Sequence, residues 1–241
     1  MRRLLLAAAA ALALSAPPAH AILDGGPDGN DHSYVVAVRS PDGGVCSGSV
    51  ISAHHVLTAA HCMAPDATAR VVFGPNARTS TEFVSGTFTP HPGWCRGCAG
   101  GVPGIDTNDV AVVVVESELP EPYAALPALG YATTLDMKHE VTTVGYGLRV
   151  RPKEFAGQIL ERYRVTHQLV DAPHRLADEY LRLSSSKGGP CHGDSGGPSL
   201  VDNTIVGITA FTVNENCAGV SYAQRIDLPG VRSFIDGFLD D

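Results

Sequence analysis

Short runs of β-branched and aromatic residues recur along the chain, separated by clusters of Gly, Pro, Asn and Asp. Each run has the length of one strand and is bounded by turn residues. Many short strands at this spacing indicate an all-β barrel or sandwich. The predicted strands are residues 34–38, 70–73, 109–116, 140–145, 162–170, 180–184, 204–213 and 220–226.

A Pro-rich stretch at residues 119–127 lies near the middle of the chain and predicts a connection between two β units of similar size. Asp202 and Asn203 separate two apolar runs and predict a hairpin turn. One helix is predicted, over about residues 228–240, with Pro229 in its first turn. Its apolar face has i, i+3, i+4, i+7 spacing at Val231, Phe234, Ile235 and Phe238.

Residues 1–21 have the three parts of an export signal. Arg2 and Arg3 form a positive start, residues 4–14 are apolar, and Ala19 and Ala21 form a small-x-small cleavage site. A membrane anchor is the alternative, but this run of eleven residues is too short for a bilayer crossing, which takes about 20. Signal removal leaves 220 residues, enough for one or two compact units with a substantial core.

The exported chain is acidic, because loss of the two signal arginines moves its formal net charge from −8 to −10. Binding to phosphate backbones needs a basic face, so the charge argues against a nucleic-acid or heparin partner, and we expect no nucleic-acid partner. No later segment has the length and apolarity of a membrane span, and we expect no membrane partner after signal removal. Lysine is scarce, three against fourteen arginines, which is typical of a GC-rich bacterial genome.

An even number of cysteines in an oxidising compartment predicts three disulfides, and counting alone leaves fifteen connectivities open. The Cys95-Arg-Gly-Cys98 pair also fits redox chemistry or a metal. Zinc would need a second such pair or clustered histidines, and a thioredoxin-type site would need a strand-helix-strand context. The sequence shows neither, so a small structural disulfide is preferred, and no metal or cofactor is expected. The six cysteines are Cys46, Cys62, Cys95, Cys98, Cys191 and Cys217.

Three short strings carry the groups of a nucleophilic site: LTAAHC ending at Cys62, TNDVAVV around Asp109, and CHGDSGGP around Ser195. A serine hydroxyl is a weak nucleophile at neutral pH unless a base takes its proton. That base must itself be held in one tautomer by a buried acid. His61, Asp109 and Ser195 supply these groups, and the glycines beside the serine let backbone N–H groups approach a developing oxyanion.

Over nearly all of residues 22–241 the chain resembles the trypsin/chymotrypsin family of serine proteases. The resemblance is carried by CSGSVISAHHVLTAAHC, NDVAVV, VTTVGYG and GDSGGP, which are similar to the family's histidine, aspartate, Gly-aromatic-Gly and nucleophile blocks. It implies an all-β fold of two antiparallel six-stranded β-barrels with a C-terminal α-helix, and catalytic groups in the cleft between the barrels. The barrels are expected at about residues 22–125 and 126–227.

The same resemblance implies a secreted, extracellular serine endopeptidase that works through an acyl-enzyme. His61 is then the general base, Asp109 the orienting acid and Ser195 the nucleophile, and the N–H groups of Gly193 and Ser195 form the oxyanion hole. The implied partners are protein or peptide substrates and a proteinaceous inhibitor, and the implied state is a monomer. The implied disulfides are Cys46–Cys62, Cys191–Cys217 and, by remainder, Cys95–Cys98.

Two other classes of protein share parts of this pattern. Residues 193–197 also fit the nucleophile elbow of α/β-hydrolase esterases, but those enzymes place their histidine after the serine. Here the last histidine is His192, before Ser195, so the esterase interpretation fails. The second alternative is a binding protein that keeps the protease fold without catalysis. Such proteins usually lack a triad member, whereas this chain has all three.

The residue that sets a basic preference in trypsins is an acid six residues before the serine, and Gly189 stands there. The segment GITAFT resembles the far wall of the specificity pocket, with Ala210 in place of a serine that helps hold the catalytic acid, followed by Phe211. Thr212 and Val220 stand where open pockets have glycine. Their bulk predicts a shallow pocket that favours small or medium uncharged residues before the cut.

Two further residues bear on the pocket. Lys187 lies two positions before Gly189 and would repel a basic side chain. His192 is expected at the mouth, where a protonated imidazole could bind an acidic side chain. The alternative for His192, which we prefer, is a solvent-exposed side chain.

The stretch Ile22-Leu23-Asp24-Gly25-Gly26 follows the predicted cleavage site directly. In the family a freed apolar N-terminus pairs with the carboxylate next to the nucleophile, here Ile22 with Asp194. Signal removal would then activate the enzyme without a separate zymogen stage. The family motif commonly has four residues, Ile-Val-Gly-Gly, so either Asp24 is an insertion or the register differs.

Overall fold

The computed structural model describes residues 22–98, 106–148, 160–170 and 179–239, and the predicted signal lies outside them. These residues form thirteen β-strands, two short 3-10 helices and one α-helix. The first seven strands are β1 (Gly26–Pro27), β2 (Val35–Arg39), β3 (Val45–Ser52), β4 (His55–Thr58), β5 (Thr68–Val72), β6 (Phe83–Pro90) and β7 (Ala111–Val115). The others are β8 (Glu140–Gly145), β9 (Tyr163–Gln168), β10 (Tyr180–Ser185), β11 (Pro198–Val201), β12 (Thr204–Thr212) and β13 (Gly219–Arg225).

Strands β2 to β7 form a closed antiparallel barrel in the order β2-β3-β4-β7-β6-β5. Closure leaves no edge strand in this sheet. Strands β2 and β7 are buried along almost their whole length rather than at alternate positions. One apolar cluster joins their side chains to those of the second sheet and of the C-terminal helix, so these strands are covered on both faces.

The second sheet has the order β1-β9-β8-β11-β12-β13-β10. Its six strands from the C-terminal half curl round until β9 and β10 meet at a bridge between Leu169 and Leu183, and β1 adds a short edge from the N-terminal segment. The two barrel-like sheets confirm the predicted all-β fold. Strand β3 lies against β8 and β11, which joins the two sheets.

The predicted helix is confirmed as α1 (Pro229–Asp236), with Val231 and Ile235 buried. It ends earlier than predicted because Gly237 follows as its C-cap, while Phe234 and Phe238 still pack against the first barrel. The hairpin turn at Asp202 and Asn203 is also confirmed, between β11 and β12, with φ values of 47° and 64°. None of the described residues forms a helix with the length and apolarity needed to cross a membrane.

All eight strands predicted from the apolar runs are present, with ends displaced by a few residues. Sequence reasoning missed β1, β3, β4, β6 and β11. Strands β3 and β6 lack an apolar run, because they contain glycine, serine and threonine. Small residues are favoured where neighbouring strands pack closely. A Cβ at Gly48 or Gly86 would lie within 3 Å of the neighbouring strand.

Candidate active site

His61 and Asp109 meet because β4 and β7 are paired. Thr58 at the end of β4 lies opposite Ala111 at the start of β7, so the residues just beyond these ends are neighbours. His61 lies in the 3-10 helix Ala60–Cys62 that follows β4, and Asp109 just precedes β7. His61 Nδ1 lies 2.7 Å from Asp109 Oδ2, and the backbone N–H of His61 donates to Asp109 Oδ1 at 2.9 Å. One carboxylate therefore fixes both the ring and the backbone of the histidine.

The Asp109 side chain is only 2% exposed. Its backbone N–H donates to Gln224 Oε1 of β13 at 3.0 Å, so the second sheet holds the acid in position. Sequence reasoning missed Gln224, which lies 115 residues away along the chain. Ala210 has no hydroxyl to donate to this carboxylate, and the two His61 donors remain.

The pKa of His61 reflects opposing influences. Burial opposes protonation, but the hydrogen bond and charge of Asp109 outweigh it, and the charge of Asp106 adds to them, so the pKa of His61 is raised above its usual value. The positive charge of Arg96 acts in the opposite direction. The imidazole is thus a stronger base than an isolated histidine.

Ser195 lies on a tight loop that the first barrel and β12 hold from two sides. Its carbonyl accepts from the backbone N–H of Ser47 in β3 at 2.8 Å. The next residue, Gly196, donates its N–H to the carbonyl of Thr209 at 2.7 Å. The serine thus stands at the junction of the two sheets, where His61 also lies.

Gly193 has a left-handed φ of 98°, and a Cβ there would lie 2.8 Å from Cα of Gly147. The position therefore requires glycine. Among the described residues, neither the N–H of Gly193 nor that of Ser195 has a hydrogen-bond acceptor. Two unused N–H groups beside a serine can stabilise an oxyanion.

A cavity of about 390 Å³ lies between the nucleophile loop and β12. His61 and Ser195 both line it, so the structure brings the predicted base and nucleophile to one space. The predicted pocket residues His192, Ala210, Phe211 and Thr212 line it too. Thr209, which lies in the segment GITAFT, and Cys191, a member of an expected disulfide, line it as well. Sequence reasoning missed Asn214 and Glu215 as parts of the wall.

Gly189 and Val220, both predicted for the pocket, are not among the described residues that line this cavity. Gly189 is buried and exchanges two backbone hydrogen bonds with Leu23. A Cβ on it would lie 2.3 Å from Ser185 Oγ, so a serine hydroxyl occupies the space beside it. Val220 is paired with Ser184 of β10, behind the cavity wall.

His192 is exposed at the cavity mouth, and Lys187 is exposed elsewhere on the surface. Phe211 stacks on Tyr222, with ring centroids 4.5 Å apart, and packs edge-on against Tyr180. These contacts make that wall of the cavity rigid. Glu215 at the rim is the acidic member of the lining.

Asp194 is fully buried, and its carboxylate accepts the N–H groups of Gly147 and Cys191, both at 2.8 Å. Burial raises its pKa to about 7, against the lowering effect of these two hydrogen bonds. Gly145 and Gly147 leave no room for a Cβ, which would meet a carboxylate oxygen at 2.3 and 2.4 Å. This carboxylate is held in a tight backbone cradle with little to balance its charge.

Ile22 is fully buried, and Leu23 is bridged to Gly189, five residues before Asp194. The N–H of Gly25 donates to the carbonyl of Ile22 at 2.7 Å, which closes a four-residue turn. Asp24 has a φ of 57° in this turn, at the position where glycine or asparagine is preferred. A glycine would fit the left-handed conformation of Asp24 without strain.

The structure pairs Cys46 with Cys62, Cys95 with Cys98, and Cys191 with Cys217. The first disulfide ties β3 to the helix that carries His61. The last ties the nucleophile loop to the loop after β12. Two of the three disulfides therefore hold the elements that carry His61 and Ser195.

Comparison with known proteins agrees with this architecture. The model of the Trypsin family matches residues 24–232. Trypsin of Saccharopolyspora erythraea is 29% identical over 234 residues, which cover 90% of this chain and 94% of that protein. Brachyurin of Leptuca pugilator is 30% identical over 202 residues, which cover 78% of this chain and 84% of that protein.

The solved structure of human heparin binding protein matches with a TM-score of 0.73 at 18% identity, covering 91% of this chain and 97% of that one. An inactivated protease paralogue of the scabies mite also gives 0.73, at 17% identity, over 91% of this chain and 98% of that one. At these identities the two structures show the shared fold alone. With the family match extending from Asp24 into the C-terminal helix, the chain belongs to the trypsin family of serine proteases.

Proposed function

We propose that the chain is a secreted serine endopeptidase in which His61, Asp109 and Ser195 act as a catalytic triad. The observation that carries this proposal is the bond of 2.7 Å between His61 Nδ1 and Asp109 Oδ2, with Ser195 on the same cavity. The contact between His61 and Asp109 and the place of Ser195 on the cavity wall support these roles. These are the three groups that acyl transfer requires.

His61 takes the proton of Ser195 Oγ through Nε2 while Oγ attacks the peptide carbonyl carbon. Asp109 holds Nδ1–H, which keeps Nε2 free to accept, and it stabilises the imidazolium that forms. The developing oxyanion receives the N–H groups of Gly193 and Ser195. The imidazolium then gives its proton to the leaving amine, which breaks the peptide bond and leaves an ester on Ser195.

Deacylation repeats these steps with water as the nucleophile. His61 removes a proton from the water, whose oxygen attacks the ester carbonyl. The serine oxygen leaves with the proton from His61, which regenerates the enzyme. The raised pKa of His61 supports its role as base in both halves.

The proposal includes activation by removal of residues 1–21. A cut after Ala21 frees the amine of Ile22, which is buried in the described structure beside the Leu23–Gly189 bridge. Asp194 is a buried carboxylate with two N–H donors and a raised pKa, which is a site that a cation would stabilise. The Ile22 ammonium supplies that cation and orders the loop that bears the oxyanion hole.

For the residue before the cut, we propose a preference for small or medium uncharged side chains. The cavity is bounded by Thr212 and the rigid Phe211, and the family's acid position holds Gly189 with Ser185 against it. Glu215 at the rim disfavours acidic side chains. A peptide-substrate library tests this preference, and dominant cleavage after Lys or Arg would contradict it.

The experiment for the activity is active-site labelling of the secreted protein with a fluorophosphonate, after N-terminal sequencing. We expect Ile22 as first residue, one label per chain, and no label on the Ser195→Ala variant. A folded wild-type protein that takes no label would instead be a catalytically silent member of the fold. A different first residue would overturn activation by signal removal while leaving the triad standing.

A further inference from the structure

Arg162, just before β9, carries a buried guanidinium that the triad does not use. Its side chain is 1% exposed. Nε donates to Asp28 Oδ2 at 2.9 Å, and Nη1 donates to the carbonyl of Val35 at 2.8 Å and to Tyr146 Oη at 3.2 Å. Nη2 donates to the carbonyl of Gly29 at 2.5 Å. All three nitrogens of this charge are therefore engaged.

Asp28 is equally enclosed, with a side chain that is 0% exposed. Besides Arg162, it accepts the backbone N–H of His32 at 3.2 Å, and its Oδ1 lies 2.5 Å from His32 Nδ1. The N–H of Asp28 donates to the carbonyl of Arg162 at 3.1 Å, so backbone and side chain join the same two residues. A buried pair with this many hydrogen bonds is fixed in one geometry.

The ion pair anchors a segment that has few other means of attachment. In residues 24–33 the buried positions are Gly25, Asp28 and His32, and none of them is a large apolar residue. Strand β1 has two residues, both exposed, paired with Tyr163 and Arg164. Apolar burial therefore does not hold this part of the chain, and polar contacts do. The Asp28–Arg162 pair is the buried one among them, and the half-exposed Arg164 adds a contact of 3.7 Å to Asp28 and an ion pair with Asp31.

The pair also lies between the two groups of the proposed activation contact. On one side, Asp28 is six residues after Ile22, and Tyr163 next to Arg162 packs against Ile22. On the other side, Tyr146 accepts from Arg162, and its neighbour Gly147 donates to Asp194. One guanidinium thus contacts both the segment that ends at Ile22 and the segment that holds Asp194.

We propose that Asp28 and Arg162 are positioning residues that seat the N-terminal segment, so that the ammonium of Ile22 meets Asp194. The proposal rests on the activation pair described above. The ion pair touches no reacting atom, and its loss leaves the triad chemistry intact. Loss of the Asp28–Arg162 pair lowers the fraction of enzyme molecules in which the Ile22 ammonium contacts Asp194.

Seating is coupled to pH through the ammonium. Pairing raises the pKa of the amine above its free value of about 7.7 to 8.0, so activity is full below that value and is lost as pH rises through the bound value. If insertion of the Ile22 ammonium at Asp194 becomes tenfold less favourable, the pKa of the inserted amine falls by about one unit. The variants leave every other titratable or charged group at this end in place. Those around the ion pair are His32, Arg164, Asp31, Tyr34 and Tyr146. Those near Ile22 are Asp24, Tyr163, Lys187 and Asp194.

The test is the alkaline limb of kcat/KM, measured with active-site titration from about pH 7 to about pH 10. The variants are Asp28→Asn, Arg162→Gln and the conservative Arg162→Lys. We expect the first two to lose roughly tenfold more activity at high pH than at neutral pH, and Arg162→Lys to lie between them and the wild type. A matched control is Asp227→Asn, which breaks another buried ion pair, with Arg225 at 2.9 Å, away from this segment.

Asp227→Asn should lower the melting temperature without moving the alkaline limb. The proposal is overturned if folded Asp28→Asn protein keeps the wild-type limb, or if Asp227→Asn moves the limb equally. If the wild-type enzyme shows no alkaline limb at all, the activation pair itself fails, and the positioning role fails with it. If Arg162→Gln does not fold, Asp28→Asn and Arg162→Lys carry the decision.

Discussion

Leu23 and Gly189 exchange two backbone hydrogen bonds, each of 3.0 Å, across 166 positions of the sequence. Leu23 lies just after the predicted cleavage site, and Gly189 lies six residues before Ser195. The contact places the start of the proposed mature chain against the loop that carries the proposed oxyanion hole, at Gly193 and Ser195. We therefore expect changes at the N-terminus to alter the reactivity of Ser195.

One extra residue before Ile22 should inactivate the enzyme. The extension replaces the ammonium by an amide, and removing one partner of a buried ion pair costs about 3 to 5 kcal/mol, or roughly 10²- to 10⁴-fold in the equilibrium that inserts the N-terminus. Active-site titration of an Ala-extended protein measures this loss. The same extension at the C-terminus is the control, and full activity of the N-terminally extended form would contradict the pairing.

The extended form should also lose stability as pH rises. Burial raises the pKa of Asp194 from 3.8 to about 7, and a group with a raised folded-state value stabilises the fold fully below its unfolded value. That contribution is lost as pH rises from 3.8 to about 7. We expect the melting temperature of extended Ser195→Ala protein to fall over this range, and Asp194→Asn in the same background to remove the slope. Parallel curves for the two proteins would refute the prediction.

Asp109→Asn should reduce kcat/KM by about 10⁴-fold, the known cost of this substitution in a Ser-His-Asp triad. The amide can donate to Nδ1 and thereby favours the wrong tautomer of His61. Steady-state kinetics on a peptide ester measure the loss. Gln224→Leu removes the acceptor of the Asp109 N–H and the two bonds that Gln224 Nε2 donates to the carbonyls of Glu179 and Arg225, but it leaves the carboxylate in place. It should therefore cost much less, and equal losses would indicate that the acid is misplaced rather than chemically altered.

Removing a charge near His61 should shift the acid limb of the pH profile of kcat/KM, and the sign of the removed charge sets the direction of the shift. Arg96→Gln removes a positive charge that lowers the pKa of His61, so the acid limb should move to higher pH. Asp106→Asn removes a negative charge that raises it and should move the limb lower. Both shifts should shrink in high salt because these charges are screened. Arg78→Gln, another exposed arginine, should leave the limb in place.

Thr209→Val should stabilise the protein. Thr209 is 4% exposed, and its hydroxyl has no hydrogen-bond partner among the described residues. A methyl group of the same shape removes a desolvation penalty of about 1 to 3 kcal/mol. Thr143→Val is the matched comparison, because the Thr143 hydroxyl contacts His167 Nε2 at 2.8 Å and Ser199 Oγ at 3.3 Å. In urea unfolding, Thr209→Val should raise the free energy of unfolding and Thr143→Val should lower it.

Much of the fold and of the candidate site was predictable from short stretches of sequence. A strand or a helix face depends on residues a few positions apart, so the apolar runs indicated eight strands and α1. The triad residues each lie in a short string with distinctive neighbours, and their order excluded an esterase. Strands with small or polar residues, such as β3 and β6, escaped because their burial comes from close packing rather than from apolar side chains.

Other features depended on the tertiary structure, because they join residues far apart in sequence. The sequence separation between Gln224 and Asp109 is 115, and that between Arg162 and Asp28 is 134. No local pattern marks such pairs, since barrel closure and the packing of β3 against the second sheet decide which buried polar groups meet. The contact between Gly189 and Leu23 likewise joins distant parts of the chain, and no local pattern predicts it. The sequence by itself determined the chemistry that the chain carries, and only the fold decided what surrounds each group.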